Sequence, residues 1–179
     1  MSVARYIPNA LSFLRILCAP LLLYFLVERQ QSAAFATLLV GTLSDFFDGY
    51  LARLLGVETR LGALLDPLAD KVFSNVALWG LYFSTPPTLP LFLIALSLSI
   101  RDVVLLCGAG VALSRKLHIN MSPVYVSKVC TACVFVFVAL SMLSLKDDLY
   151  ILLFGYTCVA LILLSFTVYI WRYVKSTRS

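Results

Sequence analysis

Apolar residues run along this chain in six long blocks with short polar breaks between them. The blocks cover residues 7–27, 32–53, 62–83, 89–113, 123–145 and 149–171. The breaks are Glu28-Arg29-Gln30-Gln31, residues 54–61, Ser84-Thr85-Pro86-Pro87-Thr88, residues 114–122 and Lys146-Asp147-Asp148. A helix needs about 20 apolar residues to cross ~30 Å of hydrocarbon. The pattern therefore predicts six transmembrane helices: an all-α integral membrane protein with one transmembrane domain over residues 1–179. The first block contains Arg15 and lacks a small-residue exit site, so it reads as a retained span, not a cleaved leader. No internal repeat, low-complexity segment or separate soluble domain interrupts the series.

Composition sharpens this reading. Hydrophobic residues make up 61% of the chain and charged residues only 13%, with a mean hydropathy of +0.97. A soluble globule of 179 residues has too little interior to hide that much apolar surface. Disorder and a disulfide scaffold are excluded on the same grounds. The five cysteines (Cys18, Cys107, Cys130, Cys133 and Cys158) all fall in apolar blocks and read as inert buried thiols. Cys130-x-x-Cys133 stands alone in one such block, which argues against a redox or zinc pair. A single histidine, His118, cannot build a histidine-based metal site.

The net charge is +5, and its distribution is informative. With six spans both termini lie on one side. That side carries Arg5, Arg53, Arg60, Arg115, Lys116, Lys128, Arg172, Lys175 and Arg178, whereas the other carries Arg29 and Lys146. Basic residues concentrate on the cytoplasmic face of membrane proteins, which predicts cytoplasmic termini and cytoplasmic loops at 54–61 and 114–122. Basic patches beside spans point to orientation and anionic lipid, not to nucleic acid.

Once loop charges are set aside, Arg15, Asp45, Asp48, Asp66, Asp70, Lys71, Arg101 and Asp102 remain inside the blocks. An ionised group at the bilayer centre costs about 2.5–3.5 kcal/mol on insertion scales, so such residues mark function. Asp45 and Asp48 are three apart and share a helix face, as do Asp66 and Asp70, four apart. The link from Leu54 to Leu61 returns the chain antiparallel, so the two pairs face each other near the cytoplasmic ends. Gly49, Ala52 and Gly62 leave room for close helix approach. Four facing carboxylates must take up protons or bind cations. Two divalent cations would balance them, and oxygen-only ligands suit Mg²⁺ or Mn²⁺ where zinc would prefer His and Cys. A two-metal site serves phosphoryl chemistry, and Arg53, one turn beyond Gly49, suits a phosphate. An ion or proton path through a transporter is the competing reading of the same charges.

The spacing distinguishes the two. The run Asp45-x2-Asp48-Gly49-x2-Ala52-Arg53-x8-Gly62-x3-Asp66-x3-Asp70 resembles the complete signature of the CDP-alcohol phosphotransferase family, with all eight fixed positions and every gap in place. Ile7-Pro8-Asn9-Ala10-Leu11-Ser12-x2-Arg15 and Asp66-Pro67-Leu68-Ala69-Asp70-Lys71 resemble the branch that makes phosphatidylglycerophosphate and cardiolipin. The resemblance implies a six-helix membrane catalytic domain, a homodimer and an active site facing the cytoplasm, or the matrix for a mitochondrial inner-membrane protein. It also implies displacement of CMP from CDP-diacylglycerol by an acceptor hydroxyl, assisted by two divalent cations, Mg²⁺ or Mn²⁺. Carried over by position, Asp45, Asp48, Asp66 and Asp70 would ligate metal, with Asp70 also the general base. Gly49, Arg53, Thr59 and Gly62 would form the CDP site. Arg15 has two readings, a nucleotide contact or a partner for an aspartate. Pro67 is expected to bend the third span between its aspartates.

The acceptor is read from the basic residues Arg101, Arg115, Lys116 and Lys128; the alternative for Arg101 is an ion pair with a nearby aspartate, and for Lys128 a cation reaching to the membrane interface. Phosphatidylglycerophosphate synthases in this family usually show Arg-Glu in the fourth span and Gly-Lys-x-Lys-Thr before the fifth. Here Arg101-Asp102 and Ser127-Lys128-Val129-Cys130-Thr131 stand instead, with Cys130 in place of the second lysine. This arrangement is more similar to CMP-forming cardiolipin synthases, whose acceptor is phosphatidylglycerol. Glycerol 3-phosphate is the alternative acceptor.

Overall fold

The computed structural model describes the backbone of residues 7–55, 60–86, 88–114, 125–143 and 149–178, and the side chains of 13–44, 68–86, 88–108, 126–143 and 149–172. Among these residues there are six α-helices and no strand: α1 (Ile7–Val27), α2 (Gln31–Leu55), α3 (Arg60–Ser84), α4 (Leu89–Ser114), α5 (Tyr125–Met142) and α6 (Leu149–Arg178). Each apolar block of the sequence became one helix. The largest departure is α6, which runs seven residues beyond the end of its block, to Arg178. Arg172, Lys175 and Arg178 lie in its last two turns, where cations offset the negative end of the helix dipole. Helix α5 is shorter than its block, ending at Met142.

Two helices among the described residues contain segments long and apolar enough to cross a membrane, Leu89–Gly108 and Leu149–Arg172. Shorter apolar segments occupy Phe13–Val27, Gln31–Ser44 and Val126–Met142. Many large apolar side chains face outward, Phe13, Leu17, Val103, Leu153 and Leu164 among them. Such a surface suits lipid as its solvent and would be costly in water.

The chain divides into two compact units, Met1–Pro86 and Pro87–Ser179. In the first, α1 packs along both α2 and α3, which touch each other only slightly. The buried stripe of α1 is Arg15, Cys18, Ala19, Leu22 and Leu26, and that of α2 is Ala34, Thr37, Leu38 and Ser44. Both follow the three-and-four spacing of one helix face. Glycine allows the closest approaches. A Cβ at Gly41 would collide with the Phe73 ring of α3, and one at Gly80 would come within 2.8 Å of Leu26 and 3.3 Å of Leu23 in α1. These two contacts fix how far each helix is slid along its neighbour.

The turn from α1 to α2 is closed by backbone bonds. The Gln30 amide donates to the Phe25 carbonyl at 2.9 Å and the Arg29 amide to the Leu26 carbonyl at 3.2 Å. This is the Schellman pattern, which requires a left-handed residue after the helix. Arg29 fills that position, with φ of 57°, where glycine is the usual choice.

In the second unit α6 packs against both α4 and α5. Its buried stripe is Ile151, Cys158, Ile162 and Ser165. A Cβ at Gly155 would come within 2.7 Å of Pro90 in α4 and 2.8 Å of Phe137 in α5. Proline in the first turn of α4 costs no helical hydrogen bond, because those amides have no partner in the helix. Helical hydroxyls such as Thr37, Thr42, Ser74, Ser97 and Thr131 donate to carbonyls one turn back. The buried Ser165 hydroxyl has no hydrogen-bond partner among the described residues.

Candidate active site

The acid motif lies on the two helices that flank the 56–59 connection. Helix α2 carries positions 45, 48, 49 and 53, and α3 carries 62, 66 and 70. The side chains of Asp45, Asp48, Gly49, Arg53, Gly62, Asp66 and Pro67 lie outside the described residues, as do Thr59, Arg115 and Lys116 altogether. Helix geometry nevertheless gives their levels. The contact between Gly41 and Phe73 is the reference point. Position 45 lies four residues beyond Gly41, and Asp70 lies three before Phe73. Position 48 lies seven residues beyond Gly41, and position 66 lies seven before Phe73. At 1.5 Å per residue, positions 45 and 70 share one level and 48 and 66 share another, about one turn nearer the connection. Positions 45 and 48 also continue the spacing of the buried stripe 34, 37, 38, 41 and 44.

Asp70 is half-buried and engaged by neighbouring groups, as is Lys71. Below them the Ser74 hydroxyl donates to the Asp70 carbonyl at 2.8 Å, and the Asn75 amide donates to the Lys71 carbonyl at 2.9 Å. Both bonds anchor polar side chains along the helix, and the Ser74 hydroxyl is thereby tied down inside the core. Arg15 of α1 is wholly buried in the same unit.

Arg101 and Asp102 lie in the second unit at 6% and 4% exposure. The Arg101 Nε and Nη2 groups donate to a single oxygen, Asp102 Oδ1, at 3.1 and 3.0 Å. Arg101 Nη1 meets Cys130 Sγ at 3.9 Å, a weak acceptor. The cation is thus matched by the residue next to it. Lys128 is exposed on α5 and does not join this buried pair. Of the cysteines, Cys18, Cys130 and Cys158 are buried as expected, Cys133 is half-buried and Cys107 is exposed. Since Cys107 lies in the apolar segment Leu89–Gly108, its exposure is compatible with a lipid-facing position.

Among the described residues no group of three or more His, Cys, Asp or Glu side chains could hold a metal ion. The carboxylate positions 45, 48, 66 and 70 supply oxygen donors alone, a set that fits a hard divalent cation. Arg101 takes the ion pair with a nearby aspartate that stood as the alternative to acceptor binding, and the aspartate is Asp102. Sequence reasoning missed the buried Ser165 hydroxyl, for which no sequence signal exists.

Comparison with known proteins identifies the family. The family described as CDP-alcohol phosphatidyltransferase matches residues 5–172. A CDP-diacylglycerol–glycerol-3-phosphate 3-phosphatidyltransferase of Aquifex aeolicus is 38% identical over 138 residues, which cover 77% of this chain and 74% of that protein. The CMP-forming cardiolipin synthases of Rattus norvegicus and Homo sapiens are each 32% identical over 152 residues, 76% of this chain. The match spans about half the length of those two synthases. With the match running through all six helices and the whole acid motif, the chain belongs to the CDP-alcohol phosphatidyltransferase family of membrane enzymes.

Proposed function

We propose that this enzyme is a single six-span catalytic domain that transfers a phosphatidyl group from CDP-diacylglycerol to the hydroxyl of phosphatidylglycerol, giving cardiolipin and CMP. The phosphatidyl transfer is carried by the intact acid motif on two helices whose carboxylate positions share levels in pairs. The choice of acceptor is carried by the Arg101–Asp102 pair. A near-dianionic phosphate needs several uncommitted cations, and Arg101, one of the four basic candidates, is committed to Asp102. A lipid acceptor with a singly charged phosphodiester makes a smaller demand. One observation favours a second reading, glycerol 3-phosphate as acceptor: the 38% identity to the Aquifex aeolicus transferase.

In this reading Asp45, Asp48, Asp66 and Asp70 hold two divalent cations, Mg²⁺ or Mn²⁺. Bound there, the cations supply charge neutralisation for the diphosphate and the departing phosphate. Arg53 grips the diphosphate, while Gly49, Thr59 and Gly62 leave space for the cytidine. Asp70 accepts the proton of the acceptor hydroxyl. The acceptor oxygen forms a bond to the β-phosphorus, the bond from that phosphorus to the bridging oxygen breaks, and CMP leaves with the electron pair. The diacylglycerol tails stay in the bilayer and the nucleotide remains at its cytoplasmic edge, with the protein working as a homodimer.

The test is CMP release by the purified protein with Mg²⁺ and CDP-diacylglycerol, offered phosphatidylglycerol or glycerol 3-phosphate, with products identified by mass. Turnover with phosphatidylglycerol is the expected result. Turnover with glycerol 3-phosphate alone overturns the acceptor assignment and leaves the site and chemistry in place.

A further inference from the structure

Among the described residues Arg15 is the largest side chain that is fully buried. A buried guanidinium costs several kcal/mol unless an anion and hydrogen bonds compensate it. The sequence leaves two partners open, the nucleotide or an aspartate, and the register of the first unit distinguishes them. Gly80 of α3 abuts Leu23 and Leu26 of α1. Arg15 lies eight residues before Leu23 and eleven before Leu26, about 12–16 Å along the axis. Helices α1 and α3 run the same way, since each is joined antiparallel to α2. The same distance back from Gly80 on α3 spans residues 69–72, with Asp70 inside that interval. Position 45 of α2 shares this level through the Gly41–Phe73 contact. Positions 48 and 66 lie one turn closer to the 56–59 connection. Arg15 therefore shares the level of the inner pair of carboxylate positions, 45 and 70. Both Arg15 and Asp70 are engaged by neighbouring groups.

We infer that Arg15 is a built-in countercharge beneath the carboxylate set, a positioning residue that holds Asp70 and position 45, and that it does not contact the nucleotide. The inference rests on the proposed reading of the four aspartates. Its physical content is that one permanent positive charge lowers the mutual repulsion of the carboxylates before any cation arrives. Removing it should harm the metal-free protein more than the metal-loaded one, because bound cations take over part of its task.

The full-length protein in detergent provides the test. Thermal midpoints are measured for wild type, Arg15→Met, Asp70→Asn and the double variant, without metal and with Mn²⁺. In the metal-free series Arg15→Met should lower the midpoint by about 10 °C. Adding Asp70→Asn should restore at least half of that loss, since the stranded carboxylate is then neutral. Mn²⁺ should raise the midpoint of Arg15→Met more than that of wild type. Steady-state kinetics of Arg15→Met should show kcat reduced at least tenfold and the KM for CDP-diacylglycerol changed less than threefold. Strictly additive midpoints, or a tenfold rise in KM with kcat preserved, overturn the inference.

If Arg15→Met does not fold, Arg15→Lys carries the test. It keeps the charge but lacks the planar fork, so its KM should stay within threefold and its kcat should fall. A tenfold rise in its KM with kcat preserved counts against the inference. The two layers separate cleanly. If the aspartates hold no metal, Mn²⁺ shifts neither wild type nor Arg15→Met, while the coupling between positions 15 and 70 persists. If Arg15 is a nucleotide contact, Mn²⁺ shifts both proteins alike and the coupling vanishes.

Discussion

Both three-helix units bury an arginine, and they compensate it differently. In the Pro87–Ser179 unit, Arg101 is matched by Asp102, its immediate neighbour on the same helix. That contact depends on one short stretch of chain. In the Met1–Pro86 unit, Arg15 sits on α1 while the carboxylate positions at its level belong to α2 and α3. Compensation there depends on three helices holding their register. A local pair is suited to fixing a fold. A distributed set that carries more negative charge than its arginine can balance is suited to taking up cations and doing chemistry.

The largest effect that would sharpen this contrast concerns activity. Asp70→Asn should cut CMP release by 10²–10⁴-fold, the usual worth of a general base, with far-ultraviolet circular dichroism showing the helices intact. Removing divalent cations with a chelator should stop turnover, and Mg²⁺ or Mn²⁺ should restore it. Retained activity after exhaustive chelation would break the assigned role of the acid motif.

Stability effects come next. Asp102→Asn strands a buried guanidinium and should cost about 3–5 kcal/mol, read from the thermal midpoint in detergent. Replacing both members by Arg101→Met and Asp102→Leu should cost much less. Equal losses in the single and double variants would count against this pairing. Gly41→Ala should cost about 1–3 kcal/mol by forcing Phe73 aside. It should also lower turnover, because Asp45 and Asp48 follow on the same helix. The smallest effect is a gain. Arg29→Gly should stabilise the protein by up to about 1 kcal/mol, because Arg29 occupies a left-handed position that glycine adopts freely.

The sequence carried the helices well because each is a continuous apolar block, and hydrophobic length is legible without tertiary knowledge. Helix α6 outruns its apolar segment because its last turns are polar and basic, and the apolar count stops before the helix does. The acid motif is a pattern of residue spacing, legible as such, while the side chains of Asp45, Asp48 and Asp66 lie outside the described residues. An ion pair of Arg101 with a nearby aspartate was one open reading, but the choice of Asp102 was not legible, since neighbours on a helix point about 100° apart and only the length of the arginine brings them together. The level of Arg15 was hidden for another reason. It depends on which residue of α1 meets which residue of α3, and the contacts of Gly80 with Leu23 and Leu26 lie far apart in the chain.

The Phe73 ring seated against Gly41 works as a key in a slot. The ring fits where the slot has no Cβ, and that fit indexes α2 against α3. A slip of one helical turn would move α2 by about 5.4 Å and set position 48 across from Asp70 in place of position 66. A single residue inserted between Gly41 and Asp45 would instead swing both α2 acids about 100° around the axis, leaving the key seated and every acid present. Such an insertion would give a protein that folds, keeps its full complement of carboxylates and has lost the alignment on which the proposed site depends.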